Sequence, residues 1–97
     1  KSYAPLPGVS VPPPEVEIIE DLSSSATIIE IRSHDRPALL FRIGLAVKER
    51  NVDIRSVIAS TLGAEAIDTL YVTEVSGEKL SAEKASEVVA SIRSSID

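Results

Sequence analysis

The chain has 97 residues, 43% of them apolar and nearly all of those aliphatic, and a formal net charge of −5. One core fits this length and a second does not, the apolar share excludes a wholly disordered chain, and fifteen acidic against ten basic residues argue against a nucleic-acid partner. The absence of cysteine excludes disulfides and thiolate metal sites, and no apolar run approaches the roughly 20 residues that cross a bilayer, so no membrane partner and a cytoplasmic location are expected.

Residues 1–14 hold Pro5, Pro7, Pro12, Pro13 and Pro14 together with Gly8. Proline cannot donate a ladder hydrogen bond and favours extended geometry, so the segment reads as a semi-rigid linker. It is either a tether to an upstream domain or a terminal remnant; with Lys1 in place of Met, the chain reads as a piece of something longer. Residues 15–97 then form the domain. Glu15 to Glu20 and Thr27 to Arg32 are short and rich in β-branched residues, and the polar stretch Asp21 to Ser25 joins them as a hairpin. From Pro37 to Arg50 the period changes. Leu39, Leu40, Ile43, Ala46 and Val47 recur at helical spacing, Pro37 suits the first helical position with Arg36 as the boundary, and Asn51 can close the helix in a left-handed conformation.

Val52 to Thr61 and Ala66 to Glu74 read as a second hairpin, turned at Gly63, which can supply positive φ. In the later strand Leu70 and Val72 share one face, and Thr69, Tyr71 and Thr73 the other. Ser81 caps a last helix whose Ala85, Val88, Val89, Ile92 and Ile96 form its apolar face. The order ββαββα predicts an α+β two-layer sandwich: a four-stranded antiparallel sheet with two helices on one face. Its uncovered face and edges predict a dimer or docking to a neighbouring domain.

Parts for catalysis are scarce. The chain has one His, no glycine-rich phosphate loop and no nucleophile elbow, so a non-catalytic module without cofactor or metal is expected. His34, beside Asp35, lacks further ligands for a metal and reads as a polar loop residue. Asp35 and Asp53 stand at strand–helix junctions expected to meet at one end of the sheet. Either each carboxylate accepts local backbone hydrogen bonds, or the pair receives the ammonium of a small ligand whose carboxylate sits on free N–H groups at the helix start.

The run I-I-E-I-R-S-H-D-R-P-A-L-L, Ile28 to Leu40, resembles the first strand, loop and helix start of ACT domains, with their D-R-P-G-L-L type junction. Val52 to Thr73, with its S-T-L-G and D-T-L-Y-V-T runs, is similar to the ACT domains that close protein-PII uridylyltransferase/uridylyl-removing enzymes. The resemblance spans roughly Glu15 to Ile96. It implies a ferredoxin-like fold, permuted so that the leading strand takes the sheet position of a missing last one. It also implies a regulatory role in nitrogen control, in which the domain binds an amino acid, here glutamine, and pairs with another ACT domain as a homodimer or upstream in the same parent chain. The parent would be a bifunctional nucleotidyltransferase/hydrolase.

Carried over residue by residue, Asp35, Arg36, Ala38, Leu39 and Leu40 would form the ligand loop and helix start, with Asp53 and Ile54 facing them. Asp35 and Asp53 would hold the ammonium, and the N–H groups of Leu39 and Leu40 the carboxylate. Ala38 departs from the family's glycine, and its Cβ would crowd a ligand if the backbone approached closely or took positive φ. Two alternatives stand beside this reading: an ACT-type dimerisation or docking module without ligand, and the ACT domain of another regulated enzyme.

Overall fold

A computed structural model describes residues 12–20 and 24–97 of the chain. The element order is β1 (Glu15–Ile19), β2 (Thr27–His34), α1 (Leu39–Lys48), β3 (Val52–Leu62), β4 (Glu65–Glu74) and α2 (Ala82–Ile96). The strands form one antiparallel sheet in the order β1-β2-β4-β3. The permuted α+β, ferredoxin-like sandwich expected from the sequence is thus the architecture observed. Of the segment expected to be a linker, only residues 12–14 are described, and they lie outside any helix or strand.

Strand alternation decides which side chains enter the core. Ile29 and Ile31 of β2 stand opposite Leu70 and Asp68 of β4, and Val16 of β1 stands opposite Ile31. These positions share one face of the sheet, and their aliphatic members form a single cluster with Leu39, Ile43, Ala46 and Val47 of α1 and Ala85, Val88, Val89, Ile92 and Ile96 of α2. Both helices therefore cover that face. The apolar positions expected for α2 are all buried, and Ser81 caps it by accepting from the Lys84 N–H at 3.1 Å. The layers are also tied by Thr27, whose Oγ1 accepts from the buried Leu80 N–H, and by Arg93, which donates to the Val16 carbonyl.

Positive φ occurs where the local chemistry calls for it at Gly63 (63°), which turns the β3–β4 hairpin, and at Asn51 (57°), which lies in the turn between α1, ending at Lys48 with Glu49 as its cap, and β3. Two expectations at α1 need correction. Leu40 does not belong to the buried stripe; it is 43% exposed, because adjacent helical residues point about 100° apart and Leu39 takes the inward direction. Pro37 is not the first helical residue either.

The helix begins two residues later, because residues 36–39 close a β-turn in which the Leu39 N–H donates to the Arg36 carbonyl at 3.3 Å. Proline at the second position and φ 62°, ψ 14° at the third are the features of a type II turn. The third position of that turn prefers glycine, and here it is Ala38. An L-residue in this region carries roughly 1–2 kcal/mol of strain that glycine escapes, against a smaller entropic loss. Ala38→Gly is accordingly expected to stabilise the domain by about 1 kcal/mol, raising the midpoint of a thermal melt by roughly 4–8 °C. A melt unchanged or lowered would refute the strain.

Candidate ligand-binding site

The chain leaving β2 is pinned to the opposite hairpin, since the Asp35 N–H donates to the Ala64 carbonyl at 2.8 Å. The type II turn then redirects it, and α1 starts above the sheet at that same end. Between the helix start and the outer strand lies a cavity of about 400 Å³, within the usual size range of small-molecule sites. Ala66 and Asp68 of β4 line its base, Ala59, Ser60 and Thr61 of β3 its outer side, Leu39, Leu40 and Phe41 its helical side, and Asp35, Arg36 and Ala38 its rim. The small side chains of Ala59 and Ala66, in register with Asp68 and Thr61, leave the space that larger residues would close.

The helix start is poorly satisfied. No side chain caps α1, and its first turn contains no acidic residue. The Leu39 N–H is taken by the turn and the Arg42 N–H donates to the Ala38 carbonyl, while those of Leu40 and Phe41 have no backbone acceptor among the described residues. The free N–H pair is thus shifted by one residue from the expected Leu39 and Leu40. Such donors, at the positive end of a helix dipole, favour an anion.

The expected site residues divide into two groups. Asp35, Arg36, Ala38, Leu39 and Leu40 come together around the cavity. Asp53 and Ile54 do not. They pair with Thr73 and Val72, whereas the cavity borders the part of β3 paired with Asp68 and Ala66. Six or so residues at about 3.3 Å each put roughly 20 Å between them. β2 and β3 are both antiparallel to β4 and so run in the same direction; the start of β3 lies at the end opposite to where β2 finishes. The two carboxylates expected to meet are held apart by that crossover. Asp53 instead lies 4.0 Å from Arg55, beside an irregularity in the β3–β4 register, and is half-exposed.

Arg36 rims the cavity, but its guanidinium donates to the Ile96 carbonyl at the end of α2. There it satisfies a terminal acceptor and complements the negative end of that helix's dipole. His34 does not line the cavity; it faces the other side of the sheet opposite Glu65. Among the described residues no cluster of three or more His, Asp or Glu could hold a metal, and no helix is long and apolar enough to cross a membrane.

The residue that sequence reasoning missed is Asp68. It is 4% exposed, on the helix-covered face of the central strand β4, and no hydrogen bond or ion pair to it is formed among the described residues. Burial foremost, and the nearby Asp35 carboxylate second, raise its pKa above the ordinary 3.8. The signal was present in the parity of the strand: position 68 is in phase with Leu70 and Val72, so the alternation that buries them also buries the carboxylate.

No protein-family model matches the chain. It is 43% identical over 89 residues to the bifunctional uridylyltransferase/uridylyl-removing enzyme of Streptomyces coelicolor, covering 92% of this chain and 11% of that protein. The enzyme of the same description from Rhodopseudomonas palustris is 39% identical over 69 residues, 71% of this chain and 7% of that one. That from Novosphingobium aromaticivorans is 42% identical over 67 residues, 69% and 7%. The chain spans about a tenth or less of the length of these relatives.

Proposed function

We propose, from the chain's homology to one segment of the bifunctional uridylyltransferase/uridylyl-removing enzymes, that it is an ACT-type regulatory domain of such an enzyme and binds an amino acid, glutamine, in the cavity at the start of α1. The observation that carries this reading is the pair of free N–H groups, of Leu40 and Phe41, on an uncapped helix start beside a cavity of small-ligand size. A ligand carboxylate there would satisfy both donors and the helix dipole at once. The chain contributes no chemistry to uridylyl transfer or removal; it supplies coupling. Glutamine shifts the parent enzyme between its two activities only by the difference in its affinity for the corresponding states, and so reports nitrogen supply to them.

Titration calorimetry of the chain with glutamine tests this directly. Saturable heat in the micromolar to millimolar range is expected, and silence at millimolar glutamine and at the same concentrations of the other proteinogenic amino acids would discard amino-acid binding.

A second reading is favoured by the outer strand. β3 ends the sheet and is exposed over most of its length, with Ile54, Val57, Ile58 and Leu62 uncovered, and Phe41 of α1 is 68% exposed nearby. An open apolar edge is a template for pairing. In this reading the domain associates through β3 with a second ACT-type domain, either another copy or one upstream in the parent chain. Sedimentation equilibrium separates the two: a dimer indifferent to amino acids supports a docking module alone.

A further inference from the structure

We infer that Asp68 is the group that receives the ligand's ammonium in this cavity, which restricts the ligand class to carboxylates bearing an unblocked primary amine. The inference rests on the amino-acid-binding reading and assigns the opposite end of the same site. Asp68 is 4% exposed and lines the cavity base, where no donor or cation among the described residues meets it and its carboxylate oxygens are open only to what fills the cavity. A buried carboxylate without a partner destabilises the protein that keeps it, and the usual remedy is an ion pair or several hydrogen bonds. Arg36, at the rim, does not meet Asp68: its guanidinium donates to the Ile96 carbonyl. Among the described residues Arg36 is also the only basic side chain lining the cavity.

A second carboxylate, Asp35, stands at the rim and raises the negative potential around Asp68 further. At the other pole are the free N–H groups of Leu40 and Phe41. One cavity therefore presents an acidic floor and a helix start with free N–H donors, between walls formed by Leu39, Leu40, Phe41, Ala59, Ser60 and Thr61. A phosphate or a dicarboxylate satisfies the helix start and is repelled from the floor. A neutral amide leaves Asp68 buried without a counter-charge. A zwitterion satisfies both ends, and its ammonium brings the three donors that an ionised carboxylate lacks here.

The experiment is calorimetry on the 97-residue chain at neutral pH, with glutamine and N-acetylglutamine as ligands, on the wild type and on Asp68→Asn, Asp68→Ala and Asp53→Asn. Loss of a hydrogen bond between charged groups is expected to weaken glutamine binding about ten- to a hundredfold in both Asp68 variants, with cooperative thermal unfolding of each variant establishing that it is folded. Asp53→Asn is expected to bind as the wild type does, and N-acetylglutamine to give no saturable heat. Wild-type affinity for glutamine in a folded Asp68 variant, or equal affinity of the wild type for the acetylated ligand, overturns the assignment while leaving the amino-acid reading intact. A wild type silent to every amino acid overturns both.

Discussion

Ile43→Ala is expected to destabilise the domain by about 2–4 kcal/mol and to lower its thermal midpoint by on the order of 10–25 °C. Ile43 is fully buried at the middle of α1 and belongs to the cluster joining that helix to the sheet and to α2. Truncation removes three carbons from a close-packed aliphatic core that has no Trp to redistribute into the space. Alanine's better helix propensity returns only a few tenths of a kcal/mol. In a small domain, whose total stability is of the order of 5–15 kcal/mol, such a loss is a large fraction. Phe41→Ala, two residues away on the same helix, removes more atoms but from a side chain 68% exposed, and is expected to stay within about 0.5 kcal/mol. Thermal melts of both variants at two protein concentrations check the pair. If the Phe41 variant loses as much as the Ile43 variant, and loses a concentration dependence that the Ile43 variant keeps, Phe41 is covered by a second copy in solution.

Period and punctuation made most of this fold legible. The apolar face of α2, its Ser81 cap, the Gly63 turn, the left-handed conformation at Asn51 and the pairing of β1 with β2 all follow from local chemistry and strand alternation. The start of α1 was harder to place, because proline satisfies two local geometries equally: the first residue of a helix and the second of a type II turn. What selects the turn is φ 62° at Ala38, and alanine carries no mark of positive φ as glycine would. The candidate site divided along the same line. Residues contiguous with the turn were found together, because a turn and a helix start are local. Asp53 was misplaced by a topological step, since a helix that crosses between parallel strands returns the chain to the far end of the sheet. Asp68 was legible in the alternation of β4 but was hidden by the habit of reading a carboxylate as surface. Its significance lies in breaking the pattern that its neighbours Ala66, Leu70 and Val72 obey.

Asp68→Asn is expected to stabilise the unliganded domain at pH 7, by about 1–3 kcal/mol, since a neutral amide is far less costly to bury than an unpaired carboxylate. The gain should depend on pH in a definite direction. The folded-state pKa of Asp68 lies above its ordinary value of 3.8, held there by burial first and by Asp35 second. Between 3.8 and the raised value the folded state binds more protons than the unfolded one, so this group's contribution to stability increases as pH falls. The wild type therefore carries the full penalty above the raised pKa, sheds it as pH drops through that value, and has lost it below about 3.8. Other carboxylates titrate in both proteins, so the informative quantity is the difference in midpoint between wild type and Asp68→Asn. It should be largest near pH 7 and shrink steadily toward pH 4. On the proposed binding mode, saturating glutamine should narrow the same gap at pH 7, since it would stabilise the wild type by supplying the missing counter-charge and bind the variant weakly. A midpoint difference that stays constant from pH 7 to pH 4 would mean that Asp68 is not a buried, unpaired carboxylate in solution, and the ammonium site built on it would go with it.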